Sequence, residues 1–379
     1  MMKILFICNR SPFSTDTGNS QRTGAFLKAF KNNGYDVDVA YVGTTLEPFP
    51  GKCEGVNVVL WNDEHSWGIK KWEEWKVRLL FKAFKSSFEL SDIIQKIVEF
   101  NNYDYIFCRY IETAELAGLN KYQDKLLLDI DDLPHKSYQV YIENPGAKRA
   151  YYWFKLRRLQ IAEKKYIEKS YRSFLPNENE TNEYDTIFFP NIPIISTDTF
   201  DYESGNQNLL FIGSMAWPAN YNGLDSFISN CWDSILAKVP SAHLLIAGKG
   251  LPQFLEEKYK QYKNVVYLGF VESLTDFYSK GNIFICPIYT GGGTNIKIAE
   301  AMSMGKACVV SEHAVRGYEQ ILENEVNVLI SKDNNAFVEN VVKLLTNDAI
   351  CKDIAQNAIN TSKHLFSQSK LDEIIRVVL

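Results

Sequence analysis

Short apolar runs of strand length alternate with amphipathic stretches of helix length along this chain, and no internal repeat of fixed short period is visible. That is the rhythm of parallel-sheet proteins, in which a helical crossover joins each strand to the next. The first repeat of it reads as a strand over Lys3–Cys8, a polar loop from Arg10 to Gly18, an amphipathic helix over Ser20–Lys31 ending at Asn33-Gly34, and a strand over Asp36–Val42. A glycine just past the last amphipathic turn ends the helix. Further strands are expected at Val56–Trp61, Tyr105–Cys108, Lys125–Ile130 and Ser173–Leu175. After an interruption they resume at Leu209–Ile212, Ala242–Ala247, Val265–Leu268, Ile283–Cys286 and Ala307–Val310. The fold class is therefore α/β, with two doubly wound Rossmann-like domains. Open sheets of this kind bind ligands beyond the carboxyl ends of their strands, so two of them are expected to face one cleft.

The interruption carries Pro190, Pro193 and Gly205 and little apolar content between Ser196 and Asn208, which marks a linker. The expected organisation is a first domain over residues 1–190, a linker over 191–207 and a second domain over 208–363, followed by a helix over 364–379 that packs back on the first domain. A chain of 379 residues suits two domains, and 46% hydrophobic content gives each a core of its own. Disordered, collagen-like and coiled-coil classes are excluded.

A net charge of -5 argues against a nucleic-acid partner. The seven cysteines form no CxxC, and Cys8, Cys108 and Cys286 sit inside apolar runs, so they read as reduced and buried. The apolar run at Ile4–Cys8 is too short for a signal peptide, and no stretch of about 18 apolar residues exists to span a bilayer. A cytoplasmic location is expected. Two segments depart from the acidic average: 147–172 carries +7 around Tyr151, Tyr152, Trp153 and Phe154, and 69–85 carries +4 around Trp72, Trp75, Phe81 and Phe84, leaving -16 for the rest. Basic helices bearing aromatics suit an anionic membrane surface or an anionic substrate, so peripheral contact with the inner membrane face is expected. A solvated charged face over a buried aromatic stripe gives the same pattern.

The strongest local signal follows the strand Ile283–Cys286. It is Tyr289-Thr-Gly-Gly-Gly-Thr-Asn-Ile-Lys-Ile-Ala-Glu-Ala-Met-Ser-Met-Gly305. Gly291, Gly292 and Gly293 let backbone approach an anion, and Thr294 or Asn295 is placed to cap a helix whose free N–H groups face that loop. Lys297 adds a full charge in the first turn. Glu300, three residues on and on the same face, is a carboxylate able to accept hydrogen bonds from sugar hydroxyls. An exposed Lys297–Glu300 ion pair without function is the plain alternative. No Gly-Lys-Ser/Thr follows the glycines and the loop is not GxGxxG, so ATPase and nicotinamide readings lose their best evidence.

Together with Leu209-Leu-Phe-Ile-Gly-Ser-Met-Ala-Trp-Pro-Ala-Asn-Tyr-Asn-Gly-Leu, Leu244-Leu-Ile-Ala-Gly-Lys-Gly and Val266-Tyr-Leu-Gly-Phe-Val-Glu, this block resembles the retaining, nucleotide-sugar-dependent glycosyltransferases of family four, with the GT-B fold, in their bacterial polysaccharide-assembly branch. The resemblance is clear from Leu209 to about Glu319. It implies that the first domain binds the acceptor and the second the nucleotide sugar. It also implies that Gly213, Ser214 and Lys249 lie beside the donor diphosphate and that the backbone of Phe270 and Val271 reads the base. The loop from Gly291 through Thr294, Asn295 and Ile296 then cradles the phosphates, Lys297 and Glu300 act in catalysis, and Gly18 lies in the loop that closes on the donor. Two positions depart from the family pattern. Gly292 stands where many relatives have the first Glu of a pair, and residues 213–224 lack the usual Arg and Lys.

In the first half, Leu126-Leu-Leu-Asp-Ile-Asp-Asp-Leu-Pro-His135 sets Asp129, Asp131 and Asp132 at a strand end. Period-two alternation puts Asp129 and Asp131 on one face and Asp132 on the other. Asp131 and Asp132 are candidates for acceptor binding or for a base toward the attacking hydroxyl, with turn formation as the alternative. The same triad reads as a metal motif, but no metal or other cofactor is expected, because the glycine loop, the helix end and the lysines already offset a diphosphate. Arg22, Arg109 and His135 are weaker acceptor-side candidates, with packing roles as the default. No nucleophile constellation stands out.

The expected activity is transfer of a sugar, with retention, from a nucleotide-diphosphate donor to a hydroxyl of a glycan or lipid-linked acceptor in bacterial surface polysaccharide synthesis. A sugar-nucleotide epimerase, a non-catalytic nucleotide-sugar-binding subunit and a Rossmann oxidoreductase are the rivals.

Overall fold

The structure is a computed structural model and describes residues 1–13, 18–42, 67–79, 81–136, 149–197, 199–291 and 293–379. The strand expected at Val56–Trp61, part of the loop before Gly18, and Gly292 lie outside these. The chain forms two compact units, residues 1–190 with 371–379, and residues 191–370.

The first unit runs β1 (Lys3–Cys8), α1 (Gly18–Asn32), β2 (Asp36–Tyr41), α2 (Trp67–Arg78), α3 (Phe88–Asn101), β3 (Tyr105–Arg109), α4 (Ile111–Leu116), β4 (Leu126–Asp129), α5 (Arg149–Lys169), β5 (Arg172–Leu175), α6 (Glu178–Tyr184) and β6 (Ile187–Phe188). Its strands pair in the order β2-β1-β3-β4-β5-β6, and every pairing is parallel. The second unit runs β7 (Asn208–Ile212), α7 (Pro218–Lys238), β8 (His243–Ala247), α8 (Gln253–Tyr259), β9 (Val265–Gly269), α9 (Leu274–Tyr278), β10 (Ile283–Cys286), α10 (Ile296–Ser303), β11 (Ala307–Ser311), β12 (Leu329–Ser331), α11 (Asn334–Thr346) and α12 (Asp348–Leu365). Its sheet is again six parallel strands, ordered β12-β11-β10-β7-β8-β9. α13 (Gln368–Val378) ends the chain.

These strands are parallel and central because their residues leave no polar face: β4, β10 and β11 are buried at every position. One face of the first sheet is closed by aromatics, with Phe26 of α1 stacked on Phe189 at 3.7 Å and tilted over Phe107 at 4.7 Å. The other face is aliphatic, from Leu5, Ile7, Ile106, Leu126 and Leu128. Two strands escaped the sequence reading. β6 lies in the proline-containing stretch taken as interruption, and β12 has three residues. Runs that short carry no period to detect. The end of α13 joins the first unit, where Asp372 accepts from the side-chain amides of Asn32, 2.7 Å, and Asn33, 2.9 Å, just past α1.

Both strand orders reverse direction once, between β1 and β3 and between β7 and β10. At such a switch point the two crossovers leave in opposite directions and open a crevice beyond the carboxyl ends. In the second unit the crevice is narrowed by Gly223 of α7, where an added Cβ would stand 2.0 Å from the Pro287 carbonyl oxygen after β10. Only glycine allows the helix this close. Replacing it with alanine (Gly223→Ala) pushes α7 off the sheet and is expected to cost about 1–3 kcal/mol, read as a lower denaturation midpoint at unchanged slope.

Candidate active site

The second unit's switch point gathers the loop after β7, the start of α7 and the 289–295 loop before α10. Gly291 and Gly293 both take positive φ, 108° and 75°, so this loop needs its glycines. It is pinned from outside: Asn191 donates to Thr294 Oγ1 at 2.8 Å, His313 Nε2 lies 3.2 Å from the Gly291 carbonyl, and Arg316 reaches the Gly293 carbonyl at 3.5 Å. Neither Thr294 nor Asn295 caps α10, contrary to the sequence expectation. Asn295 occupies the N-cap position, but its amide is drawn to the Ala314 carbonyl at 3.0 Å and no side chain caps the helix. The uncapped amides and the dipole end therefore meet the crevice, lined also by Trp217, Thr290 and Lys297.

Lys297 is the centre of this arrangement. Its ammonium donates to Asn220 Oδ1, and Asn220 Nδ2 donates to the Ser214 carbonyl at 2.8 Å, so one buried amide ties the lysine to the turn after β7. A Cβ at Gly213 would lie 3.2 Å from Lys297 Nζ and 3.0 Å from Asn220 Nδ2, which explains a glycine there. Burial lowers the Lys297 pKa, with Cys286 and Glu300 working against the fall. Glu300, 8% exposed, is pushed up to about 7 by burial, and Lys297 acts to lower it. Lys297 lines the crevice and Glu300 is buried one turn further along α10, so the two do not form an exposed surface pair.

The remaining donor-side candidates lie around the β7–β8–β9 ends. The Gly213 amide donates to the Ala247 carbonyl, Ser214 is exposed, and exposed Lys249 sits 3.8 Å above the Phe270 ring. Phe270 is 59% exposed, an unusual setting for a large apolar ring, and Val271 packs partly against the core. Ile296 opens α10. Sequence reasoning missed Asn220, His313 and Arg316. Arg316 brings a guanidinium and His313 an imidazole to the loop carbonyls.

In the first unit the sequence candidates form one buried ion network. Asp129 accepts from Arg22 Nε and Nη2, the latter at 2.6 Å, and its Oδ2 lies 2.8 Å from Arg109 Nε without hydrogen-bond alignment. Arg109 also donates to Asp131 Oδ2 at 2.5 Å, the Asn19 carbonyl at 2.6 Å and Thr23 Oγ1 at 2.8 Å. Arg22 reaches the Phe189 carbonyl at 2.6 Å. Burial opposes the Arg109 charge, while Asp129 and Asp131 more than offset it and raise its pKa. Arg109 is wholly buried and Arg22 is 2% exposed, which corrects their reading as acceptor contacts: their guanidiniums brace the strand ends and the start of α1.

Asp131 is likewise corrected from a base presented to the acceptor, since its Oδ2 accepts from Arg109 and from the Tyr110 hydroxyl at 3.0 Å. The alternation argument fails here because β4 ends at Asp129 and Asp131 turns to φ 62°. Tyr110, at φ 69° and ψ 138°, is a strained position beside it. Asp132 is exposed, and Gly18 begins α1. His135 is held by buried Glu163 of α5, which accepts from its backbone N–H at 2.7 Å and lies 2.5 Å from its Nδ1. Among the described residues no cluster of metal-ligating side chains forms.

Residues 206–347 match the model of a family described as Glycosyl transferases group 1. The matched segment makes up most of the second unit. The whole chain has the GT-B fold: it superposes on sucrose-phosphate synthase of Thermosynechococcus elongatus at a TM-score of 0.69 and 14% identity, covering 100% of this chain and 98% of that one. The Anabaena protein HepE in complex with UDP gives a TM-score of 0.67 at 13% identity, covering 99% of both. A protein of Klebsiella pneumoniae described only by its size and its position in a cps region is 22% identical over 98% of each chain. The crevice at β7 and β10 lies inside the matched family segment.

The Glu300 carboxyl makes the second unit's stability depend on pH. Its pKa rises from 4.5 unfolded to about 7 folded, so ionisation penalises the folded state. That penalty is absent below about pH 4.5, grows between pH 4.5 and 7, and is complete above. Glu300→Gln should therefore stabilise the protein by about 3 kcal/mol at pH 8 and not at pH 4. Denaturation midpoints of both forms across this range check it.

Proposed function

We propose that this enzyme transfers a sugar, with retention, from a nucleotide-diphosphate donor to a hydroxyl of a glycan or lipid-linked acceptor in bacterial surface polysaccharide synthesis. The observation that carries the reading is the uncapped start of α10 with Lys297 in its first turn, facing a glycine-lined crevice. Backbone amides, a dipole end and one ammonium form a site for a pyrophosphate. HepE, solved with UDP, has the same fold, and the relative from a cps region supports the polysaccharide context.

The chemical problem is the departing nucleoside diphosphate. Lys297, fixed by Asn220, and the helix amides stand where its negative charge grows, so little reorganisation is needed at the moment of bond breaking. Arg316 supplies the outer positive charge, and Lys249 with the Phe270 ring flanks the base side. Glu300, ionised above about pH 7, accepts hydrogen bonds from the sugar hydroxyls. With no enzymatic nucleophile in the reading, the acceptor attacks from the face the diphosphate leaves, and a departing phosphate oxygen takes the acceptor proton. No metal ion is used. On the acceptor side Asp132 is the candidate carboxylate, while the arginine network positions the elements around it.

Thermal shifts with UDP-, GDP-, dTDP- and ADP-sugars test the donor assignment. The correct donor at about 100 times its Kd adds about 2.7 kcal/mol of stability. Lys297→Ala should abolish the shift or lower kcat by about 10²–10³-fold, and Asn220→Ala should reproduce much of that loss. Release of free nucleotide from donor alone, with no acceptor, indicates an epimerase instead. Donor binding without turnover on any acceptor indicates a non-catalytic subunit.

Activity is also expected to fall as pH drops below about 7, because protonated Glu300 loses accepting capacity. A pH profile of kcat/KM that keeps this limb in Glu300→Gln overturns the assignment.

A further inference from the structure

The first unit carries an outward aromatic and basic surface that the donor chemistry does not use. α5 buries Leu159, Glu163, Tyr166 and Ile167. Phe154 and Ile161, seven residues apart and so two turns along the helix, lie on the opposite face and are 55% and 68% exposed. Arg157 and Lys164 flank them on one side and Arg158 and Lys165 on the other, all exposed, with exposed Glu168 ion-paired to Lys164 at 3.6 Å on the same face. Apolar side chains at the centre of a helix's outer face with cations on both shoulders are the reverse of a solvated face, which keeps its centre polar.

A second helix extends the same surface. Arg158 of α5 donates to the Phe81 carbonyl at 2.7 Å, which brings the chain after α2 against α5. Phe81 is 64% exposed, its ring lies 6.2 Å from Trp75, and Trp75 stacks on Trp72 at 5.0 Å. Both tryptophans are about half exposed, and Lys76 lies over the Trp72 ring at 5.4 Å. On α5, Trp153 is also exposed, with Arg157 over its ring at 5.5 Å.

We infer that this α2–α5 face docks the protein on an anionic lipid bilayer, with Trp72, Trp75, Phe81, Phe154 and Ile161 entering the headgroup–acyl boundary. The occupant follows from charge and chemistry. The two segments carry +7 and +4 in a chain whose remainder is -16, so an anionic plane attracts this face and repels the rest. Tryptophan suits that boundary because its ring is apolar and its N–H stays wet, and lysine and arginine extend their aliphatic stems along the apolar layer while the charge remains outside. No helix among the described residues is long and apolar enough to cross a membrane, so the contact is interfacial. The inference stands on the first unit alone and holds whatever the donor proves to be.

Flotation of the full chain with vesicles tests it. Vesicles of phosphatidylcholine containing about one-third phosphatidylglycerol should carry the protein up the gradient, and pure phosphatidylcholine should not, with binding lost as salt is raised. Phe154→Ala with Ile161→Ala and Trp72→Ala should raise the lipid concentration for half-binding about tenfold. A second variant, Arg157→Glu with Lys164→Glu, should do the same from wholly exposed positions. Circular dichroism and donor thermal shifts should be unchanged in both, which separates loss of docking from loss of fold or of the donor site. Equal flotation with both vesicle types, no flotation with either, or full binding by the charge-reversed variant overturns the inference.

Discussion

An ammonium in a protein crevice is stable only if something takes the place of the water it has lost, and here that something is the side-chain oxygen of Asn220. The rest of the crevice follows from this contact. The amide's other end is spent on the Ser214 carbonyl, which fixes the turn after β7 to the helix after β10. Gly213 is small because the pair stands against it, and Gly223, one turn along α7 from Asn220, brings the helix close enough for the contact to form. Burial disfavours the Lys297 charge, and Cys286 and Glu300 act against that fall.

The first unit uses buried charge differently. Arg22 of α1 and Arg109, Asp129 and Asp131 at the ends of β3 and β4 neutralise one another and leave little exposed. Such a network adds little net stability relative to a well-packed apolar core, but removal of one member leaves an uncompensated charge. Beside it Tyr110 and Asp131 both stand at positive φ, 69° and 62°, a strained setting for the bulky tyrosine. The strand ends are rigid because the charges have nowhere else to go.

The fold was legible in the sequence because its strands are long apolar runs between helices, and the donor loop because glycines, Lys297 and Glu300 fall at fixed helical spacings after a strand. Several buried contacts that escaped share one physical form: a polar residue on an apolar helical stripe. Arg22 stands in register with Phe26, Ala29 and Phe30, Asn220 with Leu224 and Phe227, and Glu163 with Leu159, Tyr166 and Ile167. Periodicity alone assigns such positions to the interior, and a buried polar group must have a partner. The signal was therefore present for each residue, but the partner came from a distant segment and spacing does not encode it. Asn295 shows the converse. Its local pattern reads as a cap, and a tertiary acceptor at Ala314 overrides it.

The assembly of the first unit from residues on both sides of the second has a consequence for biogenesis. The second unit is inserted within the first, so a ribosome must emit all of it before α13 exists to close against the end of α1. The inserted half can mature during translation, whereas the outer one waits, its helix-binding surface open to chaperones.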